Sequence, residues 1–132
     1  GIGIAPLYWL LKEWKRRFPV RKTEAFLGFS EKPFLVSAFE AASDHCHVNI
    51  GGFVTGDAPF APKSLHVACG PLPMLRAAQK KAAETGADLD LSLEARMACG
   101  AGACLGCSCA TVSGNRRVCK DGPVFSAREV LL

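Results

Sequence analysis

The chain has 132 residues, 49% of them hydrophobic and 21% charged, which is enough apolar material for one packed domain with a small appendage and excludes intrinsic disorder. Its net charge of +4 is concentrated between Lys12 and Lys22, where six basic residues face one acid, so the rest of the chain sums to −1 and a general nucleic-acid binder is excluded. The longest uncharged run, Met97 to Asn115, is mostly Gly, Ala, Cys and Ser, too weakly apolar to enter a membrane, and no basic segment precedes an apolar one as in a secretory signal.

In chain order, Ala5-Pro6 opens a helix, with Leu7, Leu10, Leu11 and Trp14 at helical spacing and the basic residues opposite. Thr23 to Phe29 reads as a buried strand, Phe34 to Ala42 as a helix after Pro33, and Cys46 to Ile50 as a short strand ended by Gly51-Gly52. Ser64 to Cys69 is a strand stopped by Gly70-Pro71, Pro73 to Thr85 a helix closed by Gly86, and Ala87 to Leu93 the next strand. Strands separated by helices of this length predict a parallel α/β sheet. From Met97 the composition changes to small residues and cysteines, with a hairpin predicted from Ser108–Val112 and Arg116–Cys119 around Ser113-Gly114-Asn115. We therefore expect a sheet domain over residues 1–94 and a compact metal-binding subdomain over 95–132, the boundary falling near Glu94 to Arg96.

Seven cysteines is an odd number, and five of them (Cys99, Cys104, Cys107, Cys109, Cys119) lie within 21 residues. A secreted disulfide scaffold spreads an even number through a loop-rich chain; clustering in a core-rich one points to metal binding in a reducing, cytoplasmic compartment. The spacing Cys99-x4-Cys104-x2-Cys107-x11-Cys119 is that of a plant-type [2Fe–2S] site, which takes two thiolates on each iron. Gly100, Ala101, Gly102 and Ala103 let the backbone wrap closely and turn N–H groups toward sulfur. A structural zinc site also takes four cysteines, but it pairs its ligands in two short hairpins, whereas three of these share one Gly-rich loop. Cys104-Leu105-Gly106-Cys107 taken as a redox dithiol belongs at a strand–helix junction rather than in a four-cysteine cluster. Cys109 stands two residues beyond Cys107, so a strand would project both to one side, and geometry alone leaves it a candidate.

The segments Glu94-Ala95-Arg96-Met97-Ala98-Cys99-Gly100 and Cys119-Lys120-Asp121-Gly122-Pro123-Val124-Phe125 resemble the electron-transfer subunits of two-subunit, NAD-dependent dihydroorotate dehydrogenases, which belong to the ferredoxin-reductase superfamily. The resemblance implies that Cys99, Cys104, Cys107 and Cys119 are the cluster ligands and that Cys109 is spare. The related electron-bifurcating reductases have Asp at the first ligand position, so Cys99 favours the dihydroorotate type. Gly1-Ile2-Gly3-Ile4-Ala5-Pro6 is similar to the end of the family's dinucleotide loop, with Gly1, Gly3, Ala5 and Pro6 as cofactor-binding candidates. Glycines there admit a close backbone approach, and a helix N-terminus favours pyrophosphate. Cys69, Gly70, Pro71 and Met74 resemble the superfamily's CGPxPM turn, where the nicotinamide meets the flavin; that turn follows a strand C-terminus, where open α/β sheets bind ligands.

By this resemblance the fold is α/β: part of a ferredoxin-reductase-type NAD-binding parallel sheet domain, its first strand missing, followed by a small [2Fe–2S] subdomain. The implied function is that of an iron–sulfur flavoprotein, an oxidoreductase subunit in pyrimidine (UMP) biosynthesis. It relays electrons between the FMN of a dihydroorotate dehydrogenase catalytic subunit and FAD and NAD(H). The flavin-binding barrel is absent from this sequence, the loop from His45 to Thr55 is short for the family, and a fragment of a longer gene accounts for both; weak FAD binding is expected. No dihydroorotate chemistry is assigned to this chain. The alternatives are the reductase subunit of another NAD(P)H-linked complex, such as a sulfhydrogenase, and a zinc-stabilised interaction module. His45, His47 and His66 have no catalytic partner at a suggestive spacing, the Lys12–Lys22 face reads as solvated, and Trp9, Trp14, Phe26, Phe29 and Phe34 read as core.

Overall fold

The computed structural model describes residues 3–132 and divides the chain into two compact units, Gly1–Pro59 and Phe60–Leu132.

In the first unit, α1 (Ile4–Arg17) carries Lys15, Arg16 and Arg17 in its last turn, where cations oppose the exposed carbonyl ends of the helix. Pro19 then forbids continuation. Strands β1 (Glu24–Phe29) and β2 (His45–Ile50) pair in parallel, Glu24 opposite His45 through Phe29 opposite Ile50, with α2 (Val36–Ala42) between them in sequence. A short helix, α3 (Val54–Asp57), follows. Ala25, Leu27 and Phe29 alternate along β1 and bury with Ile4 and Phe39; Leu7, Tyr8 and Leu11 pack against them. That stripe runs Ile4, Leu7, Tyr8, Leu11, one to two positions away from Trp9, which is exposed, as is Phe34. Of the five aromatics expected in the core, Phe29 is buried and Trp14 and Phe26 only half-buried.

In the second unit, β3 (Leu65–Cys69) leads into α4 (Leu72–Thr85) and then β4 (Asp88–Ser92), which pairs parallel with β3. The helix begins after Pro71, with a second proline in its first turn, and ends at Gly86 in the left-handed region (φ 71°). Its buried residues, Leu75, Ala78 and Ala82, recur at helical spacing and meet Leu89 and Leu91, which alternate with Asp88 and Asp90 along β4. Next come β5 (Ser108–Thr111) and β6 (Gly114–Arg117), an antiparallel hairpin, then one helical turn, α5 (Val118–Asp121), and β7 (Val124–Ser126).

Two local expectations change. The hairpin turn is Val112–Ser113, because Thr111 pairs with Gly114. Val118 and Cys119 lie in a helical turn rather than a strand, since the Asp121 carboxylate reaches back to accept the Arg117 N–H at 2.8 Å. The chain then returns as β7, antiparallel to β4, with Phe125 opposite Leu91. This return places the cysteine-bearing segment in the same compact unit as β3, α4 and β4. Cys107 and Val118 bury in the same cluster as Leu75, Leu89 and Leu91, and the Gln79 amide holds the Ala127 and Val130 carbonyls at 2.7 Å each.

Candidate iron–sulfur site

Four of the seven cysteines meet in the second unit as two pairs. The first pair lies within the loop that follows Met97. The Cys104 N–H donates to Cys99 Sγ at 3.4 Å, and the two thiols are themselves hydrogen-bonded. The second pair spans twelve residues: the Cys119 N–H donates to Cys107 Sγ at 3.4 Å, while the Val118 N–H donates to the Cys107 carbonyl at 3.1 Å. The hairpin creates this second contact. Its register sets Ser108 opposite Arg117, and α5 then turns Cys119 back over Cys107. Gly102 links the pairs, because its N–H points to the Cys119 sulfur.

The backbone around the sulfurs is rich in donors, as a thiolate cage requires. N–H groups and the neighbouring thiol draw Cys99 down to about 6, Cys104 N–H contributing most, then the Cys104 thiol, then the Ala101 and Ala103 N–H groups. Cys107 is lowered by the Cys119 N–H and thiol; Cys119, giving its hydrogen bond to Cys107 and partly buried, is raised. Cys99 and Cys107 are thus readied as thiolates, Cys107 at the expense of Cys119. Gly102 makes the fold of the loop possible: its φ is +83°, and a Cβ there would lie 2.9 Å from Lys120 Cδ.

Cys109 is set apart. It lies on β5 opposite Arg116, packs against the apolar core, and burial pushes its thiol up. Cys46 belongs to the first unit, and burial raises it likewise.

The donor set fits a binuclear cluster. Two thiolate pairs joined through one loop suit two irons, each needing two protein sulfurs. Cys99 and Cys104 are exposed and Cys107 is buried (3%), so the loop side faces outward.

The other candidates are distributed as follows. Cys69 is buried at the end of β3, its thiol raised by burial despite a hydrogen bond with Ser92. Gly70 and Pro71 form the turn into α4, and Met74 lies over Gly70, where a Cβ would approach the Met74 Cε to 2.7 Å. Gly3 precedes α1, Ala5 and Pro6 lie exposed in its first turn, and Gly1 lies outside the described residues. Two of the three histidines stack on aromatic rings. His47 stacks on Phe26, and His66 stacks on Phe60 with its Nδ1 3.1 Å from the Asp88 carbonyl. The basic face is largely partnered within its own unit: Lys15 to Asp44, Arg16 and Arg17 to Glu13, and Lys12 over the Tyr8 ring. The sequence reading missed Arg117 and Asp121, an ion pair at i,i+4 flanking Cys119; that spacing was the available signal. No helix among the described residues is long and apolar enough to cross a membrane.

The site is thus two thiolate pairs of the kind a binuclear iron–sulfur cluster takes, carried on a mixed α/β fold. The fold agrees with a solved structure of the NADH-dependent reduced ferredoxin–NADP oxidoreductase, studied for flavin-based electron bifurcation. The match has a TM-score of 0.83 and 27% identity over 99% of this chain and 51% of that one. More particularly, residues 94–131 match the family model described as the iron–sulfur cluster binding domain of dihydroorotate dehydrogenase B. The whole chain is similar to proteins named dihydroorotate dehydrogenase B (NAD(+)), electron transfer subunit. The relative from Caldanaerobacter subterraneus is 38% identical over 99% of this chain and 56% of its own length. Those from Clostridium perfringens (37%, over 98% and 56%) and Geobacillus thermodenitrificans (39%, over 100% and 55%) agree. The chain therefore spans little more than half the length of these relatives. The resemblance first carried by the cysteine loop extends along the entire chain.

Proposed function

We propose that this chain forms the dinucleotide-facing and cluster-binding part of the electron-transfer subunit of an NAD-dependent dihydroorotate dehydrogenase, a cytoplasmic oxidoreductase of pyrimidine biosynthesis. Cys99, Cys104, Cys107 and Cys119 hold a [2Fe–2S] cluster, which when bound accepts and releases single electrons. That property suits a relay between two flavins, the FMN of a catalytic partner subunit and an FAD that exchanges hydride with NAD(H). The chain's own residues supply the surroundings. The N–H groups of Ala101, Ala103 and Cys104 favour the Cys99 thiolate, and the core around Val118 keeps water from the Cys107 side. Gly70, at the C-terminal end of β3, supports a nicotinamide approach beside Cys69, Pro71 and Met74. Gly1, Gly3, Ala5 and Pro6 support the pyrophosphate end.

The observation that carries this reading is the meeting of the cysteines in two pairs, 99 with 104 and 107 with 119. It is tested by supplying ferrous iron and sulfide anaerobically to the full chain and its single-cysteine variants, then reading iron, zinc and the visible spectrum. Wild type and Cys109→Ala should take up two irons with a [2Fe–2S] spectrum, while Cys119→Ala should fail to or should bleach rapidly. Colourless protein with stoichiometric zinc would sink the cluster assignment. An essential Cys109 with a dispensable Cys119 would overturn the ligand set.

A further inference from the structure

Resting on the cluster reading above, we propose that Arg117 is a positioning residue of the cysteine site. Its guanidinium fastens the loop bearing Cys99 and Cys104 to the helical turn bearing Cys119, and it holds one positive charge beside the sulfurs.

The geometry is a fork with one free tine. Arg117 Nε donates to Asp121 Oδ2 at 3.0 Å and Nη2 to Asp121 Oδ1 at 3.2 Å, so both carboxylate oxygens fix the plane of the guanidinium. The remaining nitrogen, Nη1, donates to the Gly102 carbonyl at 3.2 Å. Asp121 is itself held, since its Oδ2 also accepts the Arg117 N–H. Gly102 is the buried residue of an otherwise exposed loop segment. Its N–H points to the Cys119 sulfur and its carbonyl to Arg117, so both polar groups of this one peptide-bearing residue are committed to the facing turn. Two residues separate Gly102 from each of Cys99 and Cys104 or fewer, so a shift of Gly102 displaces both sulfurs of the first pair.

An isolated i,i+4 ion pair on a helix contributes little, and a surface role would end there. Arg117 differs because it also reaches across fifteen residues of chain to the cysteine loop. Lysine cannot replace it, as one ammonium on a flexible stem cannot satisfy both carboxylate oxygens and the carbonyl in one plane. The charge has its own consequence. A cluster gains negative charge on reduction, so a nearby guanidinium favours the reduced form and the Asp121 carboxylate disfavours it.

The test compares Arg117→Lys, Arg117→Gln and Asp121→Asn in the full chain, reconstituted with iron and sulfide. Loss of the visible spectrum in excess iron chelator should be about ten- to a hundredfold faster in all three than in wild type, the range found when outer-shell partners of metal ligands are removed. The midpoint potential should fall in Arg117→Gln, stay near wild type in Arg117→Lys and rise in Asp121→Asn, an ordering that a merely structural role does not produce. In the metal-free chain, amide hydrogen exchange at Gly102, Ala103 and Cys104 should accelerate while Leu91 and Phe125 stay protected. Chelator loss within twofold of wild type, potentials shifting together in one direction, or loss of protection at Leu91 along with the loop would each overturn the proposal. If wild type itself forms no cluster, the functional reading fails, and the metal-free exchange experiment still decides whether Arg117 anchors the loop.

Discussion

Leu91→Ala tests whether the sheet and the cysteine loops are one cooperative body. Leu91 is fully buried (0% exposed) in the middle of β4, with β3 on one side and β7 on the other. Removing three carbons forfeits about 2.4 kcal/mol of transfer free energy at ~0.8 kcal/mol per methylene. Strands on both sides limit collapse into the gap, so the cavity adds about 1–2 kcal/mol and the total loss is about 3.4–4.4 kcal/mol. Urea denaturation followed by far-UV circular dichroism measures that loss. Native-state hydrogen exchange shows how far it spreads. The reporter is the Val118 amide, bonded to the Cys107 carbonyl between the two ligand-bearing segments. Because Val118 (1% exposed) and Cys107 share the Leu91 cluster, the protection of Val118 should fall by the same free energy as that of the Leu91 amide. If β4 loses protection while Val118 keeps it, the chain divides near residues 94–95 after all, and the common core assigned to residues 60–132 is refuted.

Gly122→Ala should cost about 2–3 kcal/mol, because a Cβ at that position overlaps the Phe125 ring, which is buried against Leu91 and cannot turn aside. Thermal or urea unfolding measures it, and a loss under about 0.5 kcal/mol would contradict the packing described. In the first unit, the Asp44 carboxyl is held down to about 2 by the Lys15 ammonium first and the Thr23 N–H second. Its folded value is depressed, so its stabilisation is complete above the ordinary carboxylate value of 3.8 and fades as pH falls toward about 2. The difference in unfolding midpoint between wild type and Asp44→Asn should therefore be constant above pH 5 and shrink below pH 4; a difference independent of pH would remove the ion pair as its cause.

What the sequence disclosed follows from the range of the interactions involved. The helices and parallel strands announce themselves through neighbours in sequence: Leu75, Ala78 and Ala82 mark a face, Gly86 an end, Leu89 and Leu91 an alternation. The cysteine spacing was equally legible, because three of the four candidate ligands lie within one short loop. Contacts made across the chain were not. Nothing local to Val124-Phe125-Ser126 says that three residues return to pair antiparallel with β4, yet that return places the cysteine segment in the same core as α4 and moves the packing boundary away from the compositional one. The same holds for Cys119. Its neighbourhood reads as the end of a strand, and only the reach of Asp121 back to Arg117 converts it into the helical turn that presents its N–H to Cys107. Cys109 and Cys119 are thus indistinguishable by residue type and by nearness to Cys107 in strand geometry. They are separated by a carboxylate: Asp121 ends the hairpin one residue before Val118, so Cys119 turns toward the first three cysteines while Cys109, still on the strand, packs into the core.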